Sequence, residues 1–497
     1  MSDAPALPPR FDPSRRRRVT FALALVTALA SFESTVVSTA MPTIIGDLGG
    51  LPVYSWVFSV YLLASTLTMP VYGRLADLYG RRRLLLVAMG FFLSGAAACA
   101  FARSMPWLIG ARALQGLGAG GLVPLSLTVA GDLFSVHERA RVQGLFSGIW
   151  GLASLTGPLI GAAMTVAFGW RSIFTINIPL GLVAAALVAT QLVETRARRS
   201  DPIDVAGALL LAAAVTTLLV AVTRRADAEG LPPAARAALS LAGLLLAGVF
   251  VRLERRREHP LIPVALFSSA ARAAPYLGGL FLGTTIYGVD TFVPLFVQGA
   301  RGGTAGAAGA VVTPLVLTWS LSATLGARAI VRFGFRRTAR TGALLILAGL
   351  SGLVASAFLD APVWVVSVVC GVIGSGLGPS SLAQLLTVQH TADEAMRGSA
   401  TALVPFSRTI GGSLGVAALG GIFSAGLAAR LGPAAAGAGR LLARGGSVPP
   451  AGAAETAAAA LRVAIERSLL PVFGVLLVLA LLNVVVAGRL PRSVEER

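Results

Sequence analysis

The chain has 497 residues, 55% hydrophobic and only 13% charged, with a mean hydropathy of +0.79, a balance that excludes a disordered chain and speaks against a soluble globular one. The net charge is +19, from 41 basic residues against 22 acidic ones, and every basic residue is Arg. Nucleic-acid binding would need those Arg gathered on a soluble face, so their positions decide what the charge means.

A spanning helix needs ~20 apolar residues. The N-terminal tail, 1–19, contains SRRRRVTF (Ser14 to Phe21), which loosely resembles a twin-arginine export signal. The apolar run behind it is too long for a signal peptide and carries Glu33, so the segment is predicted to anchor the first helix. Six runs follow, at 20–42, 53–73, 84–102, 106–130, 142–167 and 172–193, giving a bundle over 20–193. Two more, 203–223 and 235–253, lie in a segment 194–260. A last six, 274–298, 307–330, 340–359, 363–387, 398–426 and 468–488, give a second bundle over 261–488. The connection 427–467 is rich in Gly, Ala and Pro and is expected to be a flexible loop with one surface helix. A short tail, 489–497, ends the chain. The predicted fold is an all-α integral membrane protein of fourteen transmembrane helices.

The Arg positions orient this assembly. With the N-terminus inside, 28 of the 41 Arg fall in cytoplasmic segments, 11 on the other side, and only Arg112 and Arg408 within helices. Positive charge resists translocation, so both termini are predicted cytoplasmic. The charge is then a topology signal, and nucleic acid is not an expected partner. Cys99 and Cys370 sit far apart in apolar runs with no metal or disulfide spacing, and are expected to be small buried apolar residues. His137, His259 and His390 occur singly near cytoplasmic loops and are expected to be solvated. No metal site is predicted. Without Lys no phosphate-binding G-x-x-x-x-G-K-[ST] loop is possible.

An internal repeat recurs at a fixed offset of 254. GRLADLYGRRR (Gly73 to Arg83) meets ARAIVRFGFRR (Ala327 to Arg337), with Arg74 on Arg328, Gly80 on Gly334, Arg82 on Arg336 and Arg83 on Arg337. The same shift maps Gly144 on Gly398, Gly157 on Gly411 and Gly161 on Gly415. Two homologous six-helix bundles with two inserted helices (7 and 8) account for this. Parallel repeats of this kind build transporters with a site at mid-membrane.

At this point the residues resemble a known family. Gly73-Arg74-Leu-Ala-Asp77-Leu-Tyr-Gly80-Arg81-Arg82 resembles the loop 2–3 signature of the major facilitator superfamily. Arg112-Ala-Leu-Gln115-Gly116-Leu-Gly118-Ala-Gly120 resembles its basic helix 4 motif. Gly157-Pro158-Leu-Ile-Gly161-Ala162 resembles the helix 5 antiporter motif, with Ala162 in place of a final Gly. Phe32-Glu33-Ser-Thr35-Val-Val-Ser-Thr-Ala40-Met-Pro42 resembles the helix 1 motif of the 14-helix drug:proton antiporter family, with Glu33 where Asp is usual. The resemblance implies the major facilitator fold and a multidrug efflux antiporter. It implies that Arg112 tunes the proton-carrying carboxylate and that the helix 5 motif accompanies antiport. The second copy of the loop has Val331 where Asp77 would recur, so it cannot form the same charge pair.

Charged groups at mid-bilayer cost ~3 kcal/mol each, which makes them functional candidates. Glu33 could carry the proton or attract a cationic substrate; a carboxylate locked to an Arg is the structural alternative. Asp290, on the helix that repeats helix 1, maps one turn from Glu33 and could face the same cavity or play a local hydrogen-bonded role. Arg112 cannot lose its proton, so it could tune an acid or form a structural salt bridge. Arg408 could pair with Asp290 or contact substrate. Asp77, with Arg81 and Arg82, can pair across the bundle interface or cap a helix end there, contacts expected only in the outward-facing state. Asp132 lies at another cytoplasmic helix end. Phe32, Trp56, Trp150, Tyr287, Phe292 and Trp319 could line an apolar cavity or simply pack. The expected activity is proton-coupled, outward transport of amphipathic or cationic small molecules across the plasma membrane, hence antibiotic resistance. The proton gradient would be the energy source, with no cofactor, and the chain is expected to be a monomer in the lipid bilayer. An exporter of one metabolite or natural product, or a facilitator without proton coupling, is the alternative. A membrane enzyme or receptor would need a site or soluble domain that is not visible in the sequence.

Overall fold

The computed structural model describes residues 13–48, 56–134, 136–193, 204–222, 232–257, 260–303, 305–431 and 453–492. Among the described residues the chain is helical, with no strand. In lipid every backbone polar group must be satisfied within the segment, and a helix does this without a partner strand. The first half contains α1 (Pro13–Leu48), α2 (Trp56–Tyr79), α3 (Arg81–Ala100), α4 (Met105–Leu133), α5 (Val136–Phe168), and the pair α6 (Ser172–Thr175) and α7 (Asn177–Gln191). An inserted pair follows, α8 (Val205–Val222) and α9 (Pro233–Glu254). The second half contains α10 (Ala270–Leu295), extended by a π turn at Phe296–Ala300, then α11 (Ala305–Phe358), α12 (Val363–Thr391), α13 (Arg397–Leu431) and α14 (Ala453–Ala487). Every predicted apolar run lies largely on one of these helical stretches. Ten helices of the described residues are long and apolar enough to cross a membrane, one of them a 52-residue stretch over Ala307–Phe358.

That long stretch is a departure from expectation. The runs 307–330 and 340–359 are not separated by a loop. They are two arms of α11 broken only at Gly334, with φ 78 and ψ 175. Gly80, between α2 and α3, has φ 95 and ψ 151. Both backbones lie in a region open essentially to Gly alone, and the two glycines are repeat mates.

The packing repeats as well. In the first half α1 packs on α5 and α7, and α4 on α2 and α3. In the second, α10 packs on α13 and α14, and α12 on both arms of α11. The halves meet along two seams, α2 with α13 and α5 with α11. Exchanging the halves turns one seam into the other. The inserted pair packs on itself, and α8 also touches α2 and α13. Leu211, Val215, Phe250 and Leu261 form its small core beside that seam.

Three further expectations change. Helix α1 starts at Pro13, inside the expected tail, and Arg16 pairs with Glu138 of α5 at 2.7 Å. Residues 453–467 are not a separate surface helix; they are the opening turns of α14, while 432–452 lie outside the described residues. His390 is not a solvated side chain: it is half-buried, with its ring 5.7 Å from that of Phe335. His259 and the side chain of His137 lie outside the described residues. Cys99 and Cys370 are buried and unbridged.

Candidate functional site

Glu33 sits on α1 and is 1% exposed; Arg112 on α4 is 2% exposed. A guanidinium Nη1 of Arg112 donates to Glu33 Oε1 in a tight ion pair. The same nitrogen donates to Gln115 Oε1 at 2.7 Å, and Arg112 Nε donates to the Val57 carbonyl at 3.2 Å. Asn177, on the first turn of α7, donates to Glu33 Oε2 at 2.7 Å. The Tyr61 ring of α2 lies 4.1 Å beneath the guanidinium. Four helices of one half thus converge on one carboxylate. The surrounding wall is apolar, including Val36, Val37, Ala111 and Phe174. A buried pair of this kind needs further hydrogen bonds to its free donors and acceptors, and Asn177, Gln115 and the Val57 carbonyl supply them to the pair.

Asn177 and Tyr61 were not among the sequence candidates, and Gln115 was seen only as part of the helix 4 motif. Asn177 had a signal: it is the lone amide side chain in the apolar stretch from Ser172 to Thr190. Tyr61 had none, since an aromatic in an apolar run packs by default.

The second group lies at the end of the bundle carrying the α2–α3 turn. Asp77 of α2 crosses the seam to the opening turn of α13. Its Oδ1 accepts the Gly398 N–H at 2.9 Å, and its Oδ2 accepts the Ser399 N–H at 2.8 Å and the Ser399 hydroxyl at 2.9 Å. The carboxylate therefore caps a helix of the other half, where free N–H groups and the helix dipole favour negative charge. Arg81 binds Asp77 at 2.7 Å and Asp132 at 3.0 Å, and Asp132 binds Arg397 at 2.8 Å. Gly73 provides the room: a Cβ there would stand 2.6 Å from Ala402 Cβ. The Gln389 side-chain amide of α12 donates to the Leu127 carbonyl of α4 at 2.8 Å, a further tie between halves. Arg74 is buried at the same end. Arg82 also reaches α7. It donates to the Ala189 carbonyl at the end of α7, as its repeat mate Arg336 donates to the Leu490 carbonyl beyond α14. Ser399 and Arg397 were missed, because only the folded seam brings them to Asp77 and Asp132.

The third group is on α10 and α13. Asp290 is exposed and, among the described residues, makes no ion pair. It is not brought into contact with Glu33, and it does not pair with Arg408. Arg408 is half-buried, and its Nε is buried with no hydrogen-bond partner. Gly157 and Gly161 are buried along α5; the Pro158 side chain lies outside the described residues. Of the aromatic candidates, Phe292 is 3% exposed in the second core and Trp319 packs against it; Phe32 packs beside the Glu33 wall. Trp150 and Tyr287 are exposed.

Known proteins resemble this chain. Residues 23–416 match the Major Facilitator Superfamily. The chain is 33% identical over 414 residues to the Multidrug transporter protein MdtP of Bacillus subtilis (strain 168), spanning 83% of this chain and 76% of that one. It is 30% identical over 402 residues to Multidrug resistance protein 3 of the same organism, spanning 81% and 78%. Among solved structures, the human organic anion transporter MFSD10 (TETRAN) superposes with a TM-score of 0.66 at 15% identity, over 96% of this chain and 100% of that chain. The proton:xylose symporter XylE gives 0.62 at 14% identity, over 95% of each. At such identities the two structures share the fold alone.

Proposed function

We propose that this chain, which belongs to the Major Facilitator Superfamily, exports amphipathic or cationic small molecules in exchange for protons by alternating access. It is a multi-pass membrane transporter with multidrug efflux relatives, and not an enzyme. In this reading it works as a monomer in the plasma membrane, with both termini cytoplasmic. The α2–α3 end is then the cytoplasmic end. Its cross-seam contacts make the described state the one closed to the cytoplasm.

The observation that carries the reading is the buried Glu33–Arg112 pair with its Asn177 and Gln115 partners. Glu33 is the proton carrier and Arg112, permanently charged, the group that sets its affinity. A proton on Glu33 removes the charge that holds Arg112, so protonation and helix packing in the first half are linked. The proton gradient is the energy source and no cofactor takes part. One elementary charge moving through 100 mV supplies ~2.3 kcal/mol, well over a decade of substrate gradient.

The test is substrate-driven proton movement in proteoliposomes, with wild type beside Glu33→Gln. Wild type is expected to move protons when ethidium is applied, and Glu33→Gln to lose the coupled flux at least tenfold. Ethidium movement without protons would identify a facilitator. Equal coupled flux in the variant would take the carrier role away from Glu33.

A further inference from the structure

The two arginines lodged within helices are in opposite situations. Arg112 is bound by an acid, an amide and a carbonyl. Arg408 lies eleven residues into α13, beyond easy reach of the headgroups, yet among the described residues it has neither an ion pair nor a hydrogen bond. Its Nε is fully buried, so water does not stand in for the missing acceptor there. A guanidinium cannot neutralise itself by losing a proton. Among the described residues no carboxylate pairs with this charge.

The helices around it approach closely. The α10–α13 contact is held by glycines: Gly283 of α10 lies against the Arg408 backbone carbonyl, and Gly411 against the Leu280 backbone. One turn on from Arg408, Gly412 receives the ring of Tyr287, whose Cδ2 would stand 2.1 Å from a Cβ at that position. Tyr287 lies within electrostatic range of both Arg408 and Asp290. It is the repeat mate of Glu33, one offset of 254 along the chain. The first half therefore answers its buried Arg with an internal carboxylate, while at the matching position the second half has a tyrosine that is 38% exposed. Asp290, one turn from Tyr287, is also accessible and unpaired among the described residues.

We infer that Arg408, with the Tyr287 ring beside it, is a binding point for a carboxylate on the transported molecule. Resting on the export reading, this extends the cargo from amphipathic cations to amphipathic organic acids and to zwitterions whose amine reaches Asp290. The cargo supplies the counter-charge that Glu33 supplies to Arg112. Guanidinium–carboxylate pairing is directional and bidentate, so the site distinguishes an acid from its ester.

The experiment is equilibrium binding to the purified full chain in detergent, with no gradient, using dansyl-phenylalanine and its methyl ester as fluorescent probes. Wild type is expected to bind the acid about tenfold more tightly than the ester, the scale of a hydrogen bond to a charged group. Arg408→Gln should abolish that preference and Arg408→Lys retain part of it, with a cooperative thermal unfolding transition in detergent as evidence of an intact fold. Equal binding of acid and ester by wild type, or no binding of either, overturns the inference without needing any variant. So does a preference that survives in Arg408→Gln. Because no proton movement is read, failure of antiport in the proteoliposome assay leaves this result standing, and the converse holds.

Discussion

At the scale of the residue, a charge is read from its partners. Glu33 and Arg112 were visible in the sequence because each interrupts an apolar run, and burial as a pair explains how both survive there. Removing one partner of such a pair costs about 3–5 kcal/mol, so Arg112→Ala is expected to fail in folding before it fails in transport. Asp47 offers a milder case at the far end of α1, beyond the apolar run. It accepts from the Trp170 indole N–H and from Arg171, each at 2.9 Å. The Trp170 hydrogen bond and then the Arg171 partner hold its carboxyl below the usual range. The stabilisation is therefore complete above the ordinary Asp value and is lost as pH falls through the lowered one. The Trp170 contribution to fluorescence, taken as the difference from Trp170→Phe, should stay constant through the ordinary carboxylate range and change only at lower pH. In Asp47→Asn that acid transition should disappear.

At the scale of the element, glycine positions decide how helices end and how closely they approach. Gly374 and Gly378 of α12 face the first arm of α11, where Cβ atoms would stand 2.1 Å from the Leu315 carbonyl oxygen and 2.3 Å from the Ala323 nitrogen. Gly376 faces the second arm, 2.4 Å from the Gly342 carbonyl oxygen. Small residues at such crossings let helices meet where lipid gives no hydrophobic drive. The turns at Gly80 and Gly334 need Gly for their backbone instead. Gly334→Ala and Gly80→Ala are each expected to lower stability by about 1–3 kcal/mol, read as thermal unfolding in detergent. Gly90→Ala, with open space around it, should change little. The offset of 254 marks both turns in the sequence. It did not reveal that the second would join two helices into one 54-residue element, because a run of apolar residues looks the same whether a loop or a single Gly divides it.

At the scale of the whole molecule, the two seams are related by the repeat but are not locked equally. Asp77 caps α13, whereas its mate Val331 is exposed and offers no charge. One end of the α2–α13 seam therefore carries a charged latch that, among the described residues, the α5–α11 seam lacks. There Ser320 donates to the Ser147 carbonyl at 2.9 Å. Hydrogen bonds to a charged group are worth about 1.5–3 kcal/mol each, comparable to the gap between two conformers. Asp77→Asn should therefore shift the population toward an open α2–α3 end by about tenfold or more. Spin labels at Arg83→Cys and Asp393→Cys, both on exposed positions of opposite halves, should then show a longer distance component. An unchanged distribution would make the network a structural tie and not a latch.

The sequence by itself determined the membrane class, the family resemblance, the duplicated halves and the acids and bases worth watching. Those follow from composition, hydrophobic run length and a fixed offset, all local or periodic properties of the chain. Tertiary structure decided the pairings: that Glu33 is held by Arg112 and Asn177 inside one half, that Asp77 reaches Ser399 across 322 positions, and that Arg408 and Asp290 stay apart. A charge in an apolar run must find a partner or a cavity, but several partners satisfy that requirement equally in one dimension. Only the packing of the helices, set by glycine contacts and the seams, selects among them.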